Sequence, residues 1–204
     1  MKKNLICLTA FLAFLFAANE TNAQTDNGKE FLLDYFEETA DNLKDNIQGL
    51  NEDQMSYKPA EDRWSVAQCV EHIIMVEGSL FDMTKQLLEQ PPNPERKEEV
   101  VATDEKLIAG ITDRSKKFKA PEAVQPTGKY TDPEEAIKDF KAQREQILDY
   151  LKNISVEELR NHIGDTPGGP ADAYQSFLFI AGHTARHTLQ IEEVKENAGF
   201  PGKE

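Results

Sequence analysis

Two histidines near the end of the chain have a spacing that suits metal coordination. His183 and His187 lie four residues apart in the stretch AGHTARHTLQIEE, residues 181–193. On an α-helix this spacing places both imidazoles on one face, about one 5.4 Å turn apart. Paired histidines of this kind bind zinc in several helical motifs. Two ligands do not make a metal site, so the rest of the chain must supply a third ligand and a scaffold.

A third histidine, His72, lies on the apolar stripe of a separate predicted helix. That helix follows Trp64 and begins with a capping box formed by Ser65 and Gln68. Burial of three imidazoles without partners is costly. Convergence on one cation removes that cost, and neutral imidazole suits zinc, nickel, iron or copper. The alternative, three separate core histidines bonded to backbone or nearby acids, fits the periodicity equally well.

Other residues near these histidines could contribute to a site. Gln190 could bond a ligand or a metal-bound water, or simply lie on the helix surface. Arg186 could hold an anionic substrate or pair with a carboxylate, and Glu71 could orient a histidine or lie exposed. Cys69 could be a soft ligand, although a lone cysteine on an apolar stripe is usually part of the core. His162, in a glycine-rich stretch, is expected to be exposed.

Helical periodicity predicts four long amphipathic helices that would position these residues. No segment shows sustained two-residue alternation, so the predicted fold is an all-α four-helix bundle. A short turn opened by Ser155 and a loop over residues 161–169 precede the last helix. A long connection, residues 91–131, separates the second and third helices and carries one short helix within Asp104–Lys119. The long helices are expected at Lys29–Gly49, from Ser65 to Pro91, from Pro133 to Asn153, and from Pro170 to Asn197.

The start of the chain has the pattern of an export signal. Two lysines precede an apolar run over residues 5–17, and Ala23 ends a small-residue cleavage site. The run is short for a membrane span, although an uncleaved anchor is the alternative. We therefore expect a signal peptide, residues 1–23, and a single domain over residues 24–204. The mature protein would be exported, periplasmic or secreted, without stable membrane insertion after cleavage.

Charge and cysteine content restrict the classes of partner and the source of stability. The net charge is −14, and the sequence has no basic tract that would follow a phosphate backbone. This acidity argues against nucleic acid or anionic membranes as partners. After signal removal only Cys69 remains, which excludes an intramolecular disulfide. The fold must therefore be held by its core, which about 180 residues are enough to form.

The order and separation of these motifs resemble the DinB-like superfamily, over about Lys29–Pro201. Near the start, Trp64 and Ser65 open a helix, and His72 follows eight residues after the tryptophan. Near the end, His183, His187, Gln190 and Ile191 form a His-x-x-x-His-x-x-Gln-Ile segment, and Gly199, Phe200 and Pro201 close the domain. The resemblance rests on these motifs. It implies a four-helix bundle with a divalent metal, most often zinc or nickel. The implied ligands are His72, His183 and His187.

The resemblance also implies enzymatic function, but it leaves the reaction open. Some similar proteins are thiol S-transferases or isomerases, in which a metal-bound thiol becomes the nucleophile. An exported protein would have poor access to cytoplasmic thiols. The same site could activate water for hydrolysis, although no acid stands out as the general base. Alternatives are a non-enzymatic metal- or ligand-binding bundle and a bundle that forms a homodimer. We expect a small molecule or a thiol as the partner.

Overall fold

Four long helices form the body of the molecule, in agreement with the periodicity. The structure, a computed structural model, describes residues 6–202, with side chains described from residue 27 onward. A two-stranded antiparallel hairpin, β1 (Ile163–Thr166) and β2 (Gly169–Asp172), precedes the last helix. The helices are α1 (Ile6–Ile47), α2 (Glu52–Ser56), α3 (Val66–Leu88), α4 (Asp104–Thr112), α5 (Pro133–Asn153), α6 (Val156–Arg160) and α7 (Ala173–Glu196), with short 3₁₀ helices at Pro94–Glu99 and Glu122–Val124.

The predicted signal peptide, residues 1–23, lies outside the residues whose side chains are described. The first helix starts at Ile6, well before the predicted start at Lys29. No glycine or proline interrupts the chain before Gly28, so no residue breaks the helix there. Within the described part of the chain, no helix has both the length and the apolar character needed to cross a membrane.

Capping residues set the starts of the helices. Ser65 and Gln68 form the predicted capping box at α3: the Ser65 hydroxyl accepts from the Gln68 N–H at 3.2 Å, and the Gln68 amide oxygen accepts from the Ser65 N–H at 3.1 Å. Asp132 caps α5, with Pro133 in its first turn. Ser155 caps the single turn of α6. These local bonds satisfy N–H groups that have no partner inside the helix.

The stretch predicted as a loop at residues 161–169 forms part of a β-hairpin, and α7 starts at Ala173. The predicted start at Pro170 is wrong because Pro170 lies in β2. The Asn93 side chain fastens β1, since its Oδ1 accepts from the Ile163 N–H at 2.8 Å and its Nδ2 donates to the Ile163 carbonyl at 3.0 Å. These bonds join residues 70 positions apart, so no local sequence pattern predicts the hairpin.

Helix α4 ends at Thr112, whereas the periodicity predicts helix up to Lys119. Arg186 of α7 donates to the carbonyl groups of Ile111 and Asp113 at 2.9 and 2.6 Å. A continued helix would use these carbonyls for its own backbone bonds. The contact with α7 therefore replaces the last turns of the predicted helix.

One buried ion pair connects all four long helices. Arg144 of α5 donates to both carboxylate oxygens of Glu77 on α3, at 3.0 and 2.7 Å. It also donates to the Phe36 carbonyl and the Thr39 hydroxyl of α1, and to the Thr184 hydroxyl of α7. The two charged side chains are at most 3% exposed. Each nitrogen of this guanidinium thus has an acceptor, as a buried charge requires.

Apolar side chains form two clusters inside the bundle. Burial of a large apolar side chain contributes roughly 1.5–3 kcal/mol to stability. The first cluster joins α2, the start of α3 and Phe200 to the ends of α1 and α7 and the start of α5, and includes Leu43, Met55, Ile73 and Phe140. The second joins α6 and the start of α7 to α1, α3 and α5, and includes Leu32, Phe81, Leu151, Phe177 and Leu178.

Candidate metal centre

Three histidines from two helices converge on one point. His72 of α3 and His183 and His187 of α7 each offer one ring nitrogen, and these three atoms lie within 4.8 Å of one another. The Nε2 atoms of His183 and His187 are 3.1 Å apart. Two nitrogens bound to one tetrahedral zinc ion at about 2.05 Å would be about 3.3 Å apart. The His183 and His187 nitrogens are therefore already close to the separation of two ligands of one zinc ion.

Hydrogen bonds fix the orientation of two of the imidazoles. Nδ1 of His72 lies 2.8 Å from the Val124 carbonyl oxygen, which can only accept, so this nitrogen carries the proton. Nδ1 of His187 lies 3.0 Å from Oε1 of Gln190, to which Arg114 also donates at 3.3 Å. Because an arginine only donates, the atom facing it is the amide oxygen, and Nδ1 of His187 is the donor. Both rings therefore keep the Nε2 lone pair available for a metal.

Burial keeps the three imidazoles neutral. It lowers the pKa of His183 to about 3, with smaller contributions from Arg186 and from the repulsion that a protonated His72 would exert. It also lowers the pKa of His187 well below its usual value, and His183 and His72 add to the effect. The pKa of His72 is lowered by burial and partly restored by the bond to Val124. Neutral imidazole is the form that binds a metal, so these histidines need not lose protons first.

Two aromatic side chains flank the histidine rings. The centroid of the Trp64 indole lies 4.7 Å from that of His72 and 5.9 Å from that of His187. Phe179 stacks on His183 with centroids 6.2 Å apart. His72 and His187 are only 4% and 7% exposed, whereas His183 is half-buried. Trp64 therefore lies against the cluster, and His183 is the most exposed of the three histidines.

Gln190, Arg186 and Glu71, the residues predicted as candidates near the site, have different roles in the structure. Gln190 orients His187 through its amide oxygen. Arg186 has no carboxylate partner among the described ion pairs and binds the carbonyls of Ile111, Asp113 and Lys116 instead. Glu71 neither bonds a histidine nor lies exposed. It is 5% exposed and accepts bonds from a loop.

The Glu71 carboxylate is held by donors on the connection between α4 and α5. Burial alone would raise its pKa, but hydrogen bonds from Gly128, Lys129 and Thr127 outweigh that effect and lower the pKa below its ordinary value. Sequence reasoning missed this loop as part of the site. Its donors lie 56 to 58 positions from Glu71, and backbone N–H groups leave no signal in the residue types.

Cys69 and His162 lie outside the cluster. Cys69 is fully buried, and burial raises its pKa to about 12, so it is a thiol in the core. The prediction that His162 is exposed is wrong, since it is 1% exposed. Its ring nitrogens lie 2.9 Å from the Glu158 carbonyl and 3.0 Å from the Gln90 carbonyl. His162 therefore fastens the region around the hairpin to the end of α3.

The four long helices and the histidine cluster agree with the family resemblance. The sequence model of the DinB superfamily matches residues 35–191, and the chain belongs to that superfamily. It is similar to the uncharacterized protein YuaE of Bacillus subtilis strain 168, with 23% identity over 150 residues, 74% of this chain and 88% of that protein.

A solved structure shares the fold. YfiT from Bacillus subtilis matches with a TM-score of 0.58 and 16% identity, over 84% of this chain and 88% of that one. YfiT is described as a probable metal-dependent hydrolase with an unusual four-helix bundle topology. At this identity the match establishes the common fold, the predicted four-helix bundle.

Proposed function

We propose that the protein is a divalent-metal-dependent enzyme, a hydrolase, whose cation is held by His72, His183 and His187. One observation carries the proposal: three neutral imidazoles from two helices point one nitrogen each at a common centre. His72 and His187 have partners on their Nδ1 atoms, and the Nε2 atoms of His183 and His187 approach to 3.1 Å, a separation that a shared cation would explain as well as a shared proton. The description of YfiT as a probable metal-dependent hydrolase supports the same class.

The donor set fits zinc or nickel, and iron is a further candidate. Three protein nitrogens leave positions open for water or substrate, which is typical of catalytic rather than structural sites. When bound, such a cation would supply Lewis-acid chemistry that activates a nucleophile at neutral pH. Val124 and Gln190 hold the histidines in their ligand orientation. Trp64 shields one side of the cluster from water.

Hydrolysis is favoured over thiol transfer because of the proposed export of the protein. An exported enzyme would not meet the cytoplasmic thiols that transferases need, whereas water is always present. The export itself is a proposal that rests on residues 1–23. N-terminal sequencing of the protein recovered outside the cytoplasm tests it, and the mature chain should begin at Gln24.

A second function, metal or ligand binding without turnover, is supported by the state of the nearby acids. Glu71 is occupied by loop N–H groups, and Glu193 is bound by Arg114 at 3.0 and 2.9 Å. Neither carboxylate is free to act as a general base. Hydrolysis would then depend on the cation and its open positions alone.

Metal content and turnover together test the proposal. We expect about one divalent ion per chain in the purified protein by mass spectrometry of metals, and a loss of most of it in His183→Ala and His187→Ala. His162→Asn is the matched control, because it removes an imidazole that lies outside the cluster. Equal metal content in all four proteins would overturn the proposal.

The type of reaction is then determined by activity assays of protein from which the metal has been removed and of the same protein after metal has been added back. We expect hydrolysis of ester or amide probes only after reloading, with no requirement for an added thiol. Conjugation of an electrophile only in the presence of a thiol would replace hydrolase with transferase. Bound metal with no turnover on either set of probes would favour the binding function.

A further inference from the structure

The connection between α4 and α5, residues 113–132, is fastened at both ends by side chains that neighbour the candidate ligands. Arg186, next to His187, holds its beginning through the carbonyls of Asp113 and Lys116. Glu71, next to His72, holds its end. The two helices that carry the histidines therefore also carry the anchors of one loop.

The bond pattern at Glu71 is unusually dense. Its Oε2 accepts from the backbone N–H groups of Thr127, Gly128 and Lys129 at 2.8, 2.6 and 3.2 Å. Its Oε1 accepts from the Thr127 hydroxyl at 3.0 Å. Gly128 has a φ of +88°, a left-handed conformation that lets successive N–H groups point at one anion. The carboxylate therefore determines the path of the chain at residues 127–129.

The same segment supplies the partner of His72. Val124 lies three residues before Thr127, and its carbonyl accepts the Nδ1 proton of His72 at 2.8 Å. Pro126 lies between them and restricts the backbone. Its carbonyl accepts from Gln68 of α3 at 3.4 Å. Release of residues 127–129 would thus displace the oxygen that orients His72.

We propose that Glu71 is a positioning residue for His72, and that it acts through residues 124–129 without touching the ring. Its carboxylate places the Val124 carbonyl, and that carbonyl keeps the proton on Nδ1 and the lone pair on Nε2. The proposal rests on the proposed function where it concerns metal affinity. The protonated nitrogen of His72, by contrast, is a property of the metal-free protein and can be measured separately.

Nitrogen NMR of ¹⁵N-histidine-labelled, metal-free full-length protein is the primary measurement, followed by zinc titration. The variants are Glu71→Ala, which removes all acceptors, and Glu71→Gln, which keeps one oxygen. Glu122→Gln is the control, since it removes the same charge from an exposed position two residues before Val124. Thermal unfolding shows which variants are folded.

We expect the wild type and Glu122→Gln to show His72 protonated on Nδ1. Glu71→Ala should show a mixture of both ring tautomers and bind zinc about 10- to 100-fold more weakly, the usual effect of losing a residue that orients a ligand. Glu71→Gln should be intermediate in both measurements. If Glu71→Ala does not fold, Glu71→Gln compared with Glu122→Gln decides the question.

The outcomes separate this proposal from the metal site itself. A tautomer shift in the Glu71 variants, together with no zinc binding by the wild type, would support positioning and overturn the proposed function. Zinc binding by the wild type, with unchanged tautomer and affinity in the folded Glu71 variants, would overturn positioning alone. In that case the Glu71 bonds would only fasten the loop.

Discussion

At the scale of single residues, the most consequential polar group outside the histidine cluster is Glu77. Its carboxylate is 1% exposed and carries the only negative charge that contacts Arg144 among the described ion pairs. Removal of one partner of a buried pair leaves the other charge without compensation in an apolar interior. Exposed ion pairs lack this penalty, because water replaces the lost partner.

We therefore expect Glu77→Gln to lower the free energy of unfolding by about 3–5 kcal/mol. Glu145→Gln is the matched control on α5, since Glu145 pairs with Lys141 at 3.8 Å on the surface and should change stability by less than about 0.5 kcal/mol. Urea unfolding followed by circular dichroism measures both. If both variants lose a similar amount of unfolding free energy, burial does not make the Glu77–Arg144 pair more important for stability than an exposed pair.

At the scale of elements, a helix start with a complete local capping box is predictable from the sequence, whereas contacts between distant parts of the chain are not. Ser65 and Gln68 carry their capping pattern within four residues, and the structure has the bonds that this pattern predicts. The hairpin depends on Asn93, and the end of α4 depends on Arg186; both contacts cross at least 70 positions. Strands of four residues, each with a glycine and one with a proline, are also too short to show alternation.

The Ser65 N-cap of α3 should contribute measurably to the free energy of unfolding. Ser65→Ala should cost about 1 kcal/mol, because the Gln68 N–H loses its acceptor. Ser79→Ala, an exposed position inside the same helix, should be neutral or stabilising by up to about 0.5 kcal/mol, since alanine favours helix. Chemical unfolding compares them. An equal effect of the two substitutions would mean that the cap adds nothing.

At the scale of the whole molecule, the candidate centre joins helices that are far apart in the sequence. His72 lies on α3, and His183 and His187 lie on α7, so a bound ion would link two regions separated by more than 100 residues. Ligand binding to the folded state alone stabilises that state by mass action. Metal removal should therefore be visible in the stability of the entire fold.

We expect zinc at about 100-fold above its dissociation constant to add about 2.7 kcal/mol. For a chain of this size that corresponds to a rise in Tm of about 5–10 °C over chelator-treated protein. His187→Ala should show no such rise. An equal rise in that variant, or none in the wild type, measured by scanning calorimetry, would contradict a cation shared by these helices.

The site is predictable in its histidines and unpredictable in its surroundings. Residue type, spacing and helical faces, together with the family resemblance, indicate that His72, His183 and His187 converge, and the structure brings them together. The Val124 carbonyl and the N–H groups that bind Glu71 belong to the backbone, which has the same chemistry at every position. Their place depends on the path of a loop, and periodicity does not describe that path.

The buried network around Arg144 also bears on which bundle the chain can form. Each long helix contributes a partner at one level: Phe36 and Thr39, Glu77, Arg144, and Thr184. A slip of one helix by a turn, about 5.4 Å, would leave donors and a charge unsatisfied among apolar side chains. Leucine and phenylalanine contacts alone tolerate such rearrangement. The network therefore penalises misassembled bundles and selects a single helix register.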